Sequence, residues 1–73
     1  MKVIIKNFKL ISGVTEAEVK HYFERLVYLM DQSDITYFKD ISSSMNVEFE
    51  IKKIESGLYH VIISRKVIEW VIA

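Results

Sequence analysis

The chain has 73 residues, of which 51% are hydrophobic, with ten basic and ten acidic side chains, no cysteine and no proline. Such a chain forms one domain at most, is too apolar for intrinsic disorder, and is too evenly charged for a polybasic or polyacidic tail. Lacking cysteine, it has neither a disulfide framework nor a thiolate metal site, so packing and association must supply what staples give other small domains.

A chain of this length buries only roughly 60% of the surface its unfolded form exposes, and its core supplies about 3–5 kcal/mol of net stability. Eleven Ile and eight Val favour sheet over helix. Zero net charge leaves little repulsion between copies. A homo-oligomer or an obligate protein partner is therefore the first expectation. Lys2, Lys6 and Lys9 interrupt the start of the chain, so no signal-peptide stretch forms there. No apolar run approaches the roughly 20 residues of a membrane-spanning helix. The expected setting is cytoplasmic, with no membrane contact.

Lys2 to Ile11 reads as a strand. Val3 and Ile5 share one parity while Phe8 and Leu10 share the other, so the slip at Lys6–Asn7 predicts a bulge or a strand buried on both faces. Thr15 followed by Glu18 has the spacing of a helix capping box, with Val14 and Val19 placed as a hydrophobic staple. Val19, Tyr22, Phe23, Leu26, Leu29 and Met30 recur at three- and four-residue steps, which predicts a helix over 16–31. His21, Glu24, Arg25 and Tyr28 fall mostly on its other side.

A polar break at 31–34 precedes a strand over 35–41, with Ile35, Tyr37 and Ile41 on one face and Phe38 on the other. Three serines at 42–44 form a loop. Met45, Val47, Phe49 and Ile51 then alternate strictly with Asn46, Glu48, Glu50 and Lys52, which predicts a strand with one wet face. Glu55–Ser56–Gly57 reads as a three-residue hairpin loop with Gly57 in the left-handed position. That register pairs Val61 with Ile51 and Ile63 with Phe49 on the core side. It leaves Leu58 and Ile62 on the wet face, whereas a two-residue loop flips the parity and makes Val61 and Ile63 the misfits. Either way the strand is apolar on both sides, and something must partly cover the wet face. Residues 65–73 fit a short helix or a strand, and their β-branched content favours the strand. The whole predicts one small α+β domain over 1–73. One helix packs on a four- or five-stranded, mostly antiparallel sheet, in the order strand, helix, three strands and a short C-terminal element.

Catalytic signals are weak. No thiol nucleophile exists, the serines lack a Gly-x-Ser-x-Gly elbow, and the isolated Gly13 and Gly57 make no phosphate loop. His21 and His60 are not at helical i, i+4 spacing, so they form no local zinc pair. They read as a solvated helix residue and a half-buried strand residue. Glu48 and Glu50 share a wet strand face with Lys52, where cross-strand charge pairing explains them better than acid–base chemistry does. No catalytic residue, cofactor or metal is expected.

Two binding readings remain. The preferred one is a non-catalytic protein-interaction module acting through an apolar sheet face, with Tyr28, Phe38, Ile62 and Trp70 as anchors, because aromatic anchors dominate interface energetics. The size suits a small regulator or inhibitor of a larger protein, and the cysteine-free, Ile- and Lys-rich composition is of the style common among phage and mobile-element products. The second reading is nucleic-acid binding. Lys2, Lys6 and Lys9 load the first strand, and Lys52, Lys53, Arg65 and Lys66 are expected near one another across the hairpin. Zero net charge and the lack of an aromatic RNA-binding strand signature place it second.

Overall fold

A computed structural model of the chain describes residues 1–66. It has strands β1 (Lys2–Lys6), β2 (Tyr37–Ser42), β3 (Val47–Glu55) and β4 (Leu58–Lys66), with helix α1 (Glu16–Gln32) between β1 and β2. Among the described residues the four strands form one mixed sheet in the order β1-β4-β3-β2. β2–β3 and β3–β4 are antiparallel, while β1 lies parallel to β4. Helix α1 covers one face, as expected for an α+β domain.

The first strand is shorter than its apolar run. Asn7 takes a left-handed conformation with φ 62°, and Phe8–Leu10 form a single 3-10 turn. The parity slip at Lys6–Asn7 is therefore a strand end, where the chain leaves the sheet. Asparagine tolerates that backbone better than most residues. Its side-chain amide donates to the Ile63 carbonyl at 3.4 Å, which fastens the exit against β4.

Helix α1 begins as its sequence dictates. The Thr15 hydroxyl oxygen accepts from the Glu18 N–H at 3.2 Å, and the Thr15 N–H donates back to Glu18 Oε1 at 3.3 Å. The helix ends at Gln32; just beyond it Asp34 is left-handed with φ 56°, and the Ile35 N–H closes onto the Met30 carbonyl at 2.9 Å. This is the glycine-type helix stop built on an aspartate.

Val19, Phe23, Val27 and Met30 of α1 pack on Val47, Phe49 and Ile51 of β3 and on Tyr59, Val61 and Ile63 of β4. Phe23 meets Phe49 edge to face, with ring centroids 5.0 Å apart. Leu29, expected on this apolar face, is exposed, and Leu26 is only half-buried. The buried stripe of the helix is thus narrower than the apolar one and runs through Val19, Phe23, Val27 and Met30.

In the β3–β4 hairpin, Ile51 aligns with Val61 and Phe49 with Ile63. The turn itself is two residues, Ser56–Gly57, rather than three, because Glu55 aligns with Leu58. The extra residue is Ile54, which sits in a bulge between Lys53 and Glu55 and restores the parity. Strand β3 starts at Val47, two residues later than the alternation predicts. Met45 lies in the turn, yet its side chain is buried. Strand β2 likewise runs Tyr37–Ser42, one residue beyond Ile41 and two short of Ile35. Residues 67–73, including Trp70 and most of the C-terminal element, lie outside the described residues. No helix of the described residues is long and apolar enough to cross a membrane.

Candidate protein-interaction surface

Backbone pairing makes β2 an edge strand with a defined pattern of outward groups. The Lys53 N–H donates to the Thr36 carbonyl at 2.9 Å, and the ladder continues in alternation from there. Phe38, Asp40 and Ser42 thus turn their backbone groups towards β3. Tyr37, Lys39 and Ile41 turn theirs outward. One of those outward groups has a local partner, since the Ile41 N–H donates to its neighbour's Asp40 Oδ1 at 2.8 Å. A charged residue that blunts part of an exposed edge is a common protection against indiscriminate strand pairing.

The side chains beside this edge are apolar. Tyr37 is 49% exposed and Ile41 52%, both on the sheet face that α1 leaves open, and Ile35 just before β2 is also exposed. Phe38 points the other way and is half-buried against the core, with its ring 6.1 Å from that of Phe49. On α1, Glu16, Val19 and Lys20 line a depression with Val3 and Ile5, which fixes the β1 side of the helix. Tyr22, Arg25, Leu26 and Leu29 line another depression, of about 180 Å³, along the opposite flank. That flank lies over β3, as the Tyr22–Phe49 ring contact at 6.4 Å shows. Phe38 of β2, which among the described residues is a sheet edge, and Tyr22 of the helix flank thus meet the same ring, Phe49.

The open sheet face is mixed. In register across it lie Ile4, His60, Lys52 and Tyr37 in one row, and Lys6, Ile62, Glu50 and Lys39 in the next. The Tyr37 hydroxyl donates to Glu50 Oε2 at 2.7 Å, and Lys52 Nζ stands 3.8 Å from Glu50 Oε1. The hydrogen bond to Glu50 raises the Tyr37 phenol above its ordinary pKa, with burial and the carboxylate charge adding to it. These contacts account for Glu50 as a structural carboxylate. His60 is half-buried on this face, whereas His21 is exposed on α1 across the sheet. Among the described residues no group of three His, Asp or Glu side chains is placed to hold a metal ion. The serine loop is structural: the buried Ser42 Oγ accepts from the Met45 N–H at 3.3 Å and lies 3.2 Å from Ser44 Oγ.

The sequence-derived anchors do not form one patch. Tyr28 is 55% exposed on the outer side of α1, next to Leu29. Phe38 lies on the helix side of β2, not on the open face. Ile62 is half-buried in the middle of the open face, and Trp70 lies outside the described residues. The cationic set also separates. Lys2, Lys6 and Lys52 share the open face by register, Lys53 aligns with the core residue Tyr59, and Lys9 sits in the 3-10 turn. Arg65 and Lys66 align with Glu48 and Val47, at the opposite end of the hairpin from Lys52 and Lys53. The hairpin therefore does not gather those four cations as expected. Lys39, Ile41, Arg25 and Leu29 were missed because nothing local in a sequence marks which strand ends up at an edge.

No family model, curated protein or solved structure matches this chain.

Proposed function

We propose that the chain is a non-catalytic protein-interaction module, a small cytoplasmic regulator or inhibitor whose contact surface is the β2 edge and the adjoining flank of α1. The observation that carries this reading is the outward-facing backbone of Tyr37 and Lys39 between exposed Tyr37 and Ile41 on one side and the Leu26–Leu29 flank on the other. An added strand draws affinity from main-chain hydrogen bonds and specificity from alternate side chains. Tyrosine and arginine, the residue types that anchor interfaces, are present at Tyr22, Arg25 and Tyr37. The test is affinity capture from the native host with the parent chain and with Lys39→Pro. The Lys39 N–H faces outward, so proline there spares the ladder to β3. A protein or second copy retained by the parent and lost by the variant, at unchanged circular dichroism, is the expected result. Equal retention by both overturns the reading.

The open face supports a second reading. Lys2, Lys6, Lys39 and Lys52 share it with Tyr37 and His60, and nucleic acids bind where cations and stacking surfaces combine. Glu48 and Glu50 on the same face weaken the positive field. Oligonucleotide binding that falls steeply with salt is the signature of this alternative.

A further inference from the structure

The interaction reading leaves the occupant of the β2 edge unnamed. The backbone groups still free along that edge narrow the choice. Tyr37, Lys39 and Ile41 turn theirs away from β3, but the Ile41 N–H is already held by Asp40 Oδ1 at 2.8 Å. Just before the strand, the Ile35 N–H is held by the Met30 carbonyl at 2.9 Å. Along this edge, Tyr37 and Lys39 are therefore the residues that offer both a donor and an acceptor to a new strand, and they stand two residues apart.

A second copy of β2 can match that spacing. A two-fold axis normal to the sheet pairs residues of equal parity, so a symmetric ladder centres on one residue. Centred on Lys39, it sets lysine against lysine and calls on the Ile41 N–H opposite Tyr37. Centred on Asp40, it sets carboxylate against carboxylate and calls on the same N–H opposite Lys39. Like charges directly opposite are destabilising. Centred on Phe38, the ladder has neither defect. Tyr37 of each copy then exchanges both main-chain hydrogen bonds with Lys39 of the other, using only groups that are free.

We propose that two copies of the chain associate edge to edge through antiparallel β2 strands in this Phe38-centred register, joining their sheets into one. This rests on the interaction reading above and specifies its partner. The side chains agree on both faces. On the helix side, Phe38 stands opposite Phe38 of the second copy, at a non-hydrogen-bonded position where cross-strand side chains come closest. Each Phe38 is only half-buried within its own copy, so the pairing covers what its own core leaves open. Thr36 falls opposite Asp40, a hydroxyl facing a carboxylate. On the open face Lys39 stands beside the Tyr37 ring of the second copy, a cation next to an aromatic face. Exposed Ile35 comes opposite exposed Ile41. The apolar side chains that this edge exposes thus find their partners in a copy of the same edge.

The full-length chain provides the test. Light scattering over a concentration series is expected to show the mass doubling from the 8.6 kDa monomer. Lys39→Pro removes one donated bond per copy and is expected to raise the midpoint concentration about thirtyfold. Single cysteines, introduced into a chain that has none, read the register. A directly opposite, non-hydrogen-bonded pair has Cα atoms roughly 4.5 Å apart, within disulfide reach. Phe38→Cys is therefore expected to give a disulfide-linked dimer on air oxidation. Because Phe38 also belongs to the core, Tyr37→Cys and Lys39→Cys chains supply a second reading: mixed, they are expected to link to each other, and neither to itself. Self-linkage of Lys39→Cys or Asp40→Cys in preference to these overturns the register. A chain that stays monomeric at every concentration overturns this inference alone, because capture of a different protein through Lys39 still decides the broader reading. Association equally strong in Lys39→Pro overturns both.

Discussion

Every left-handed residue described here is glycine, asparagine or aspartate: Asn7, Gly13, Asp34, Asn46 and Gly57. Other L-residues meet a steric penalty in that conformation. Four of the five mark the point where a strand or helix stops or turns. Only the two glycines announce themselves in the sequence, whereas Asn7 was legible merely as a parity slip, because asparagine is as much at home in extended backbone. Tyr59 is a second residue whose role needed the fold. Alternation from Val61 and Ile63 puts its ring in the core, but its hydroxyl reaches Asp31 at the end of α1 at 2.9 Å. Burial raises the phenol pKa above the ordinary 10.0, and the Asp31 hydrogen bond and the Asp31 and Asp34 charges add to it. A pKa raised by folding means that the protonated phenol is the form the fold favours. Its contribution is complete below pH 10.0 and fades as pH climbs through the higher folded value. Urea midpoints are therefore expected to fall on passing from pH 9 to pH 11, and to fall less in Tyr59→Phe, which is itself expected to be less stable than the parent at neutral pH.

At the scale of elements, α1 was the most legible part of the chain. Its start is encoded by two side chains three residues apart, and both reciprocal hydrogen bonds are present. Thr15→Ala removes the cap and is expected to cost about 1 kcal/mol by chemical denaturation. That is a large fraction of a stability near 3–5 kcal/mol. Thr15→Ser is expected to cost less, since the capping oxygen stays. The β3–β4 hairpin was legible in register but not in mechanism. Two arrangements give the same alignment of Ile51 with Val61, a three-residue loop or a two-residue turn with one bulged residue, and the protein uses the second at Ile54. Parity alone cannot separate them. For β1, a continuous apolar run concealed a change from strand to 3-10 turn, because Phe8 and Leu10 satisfy a strand pattern equally well while lying exposed outside the sheet.

At the scale of the whole molecule, the element order and the α+β class follow from the sequence, but the strand order does not. The parallel pairing of β1 with β4 joins Lys2–Lys6 to Leu58–Lys66, and no local pattern records a contact so distant along the chain. That pairing seats β4 in the interior and leaves β2 as an edge. The edge in turn decides which apolar residues are available: Tyr37, Ile41 and Leu29 are open, while Ile62 is half-buried between Lys6 and Glu50. Among the described residues, part of the apolar surplus of a chain without staples lies along the β2 edge, at Ile35, Tyr37 and Ile41, and part elsewhere, at Phe8, Leu10, Leu29 and Ile54. Amide hydrogen exchange along β2 tests this account most directly. In dilute solution Phe38 and Asp40 are expected to be protected by β3 while Tyr37 and Lys39 exchange freely. As chain or partner concentration rises, Tyr37 and Lys39 are expected to become protected together. Free exchange of both under every condition in which the chain associates would contradict β2 as the contact edge.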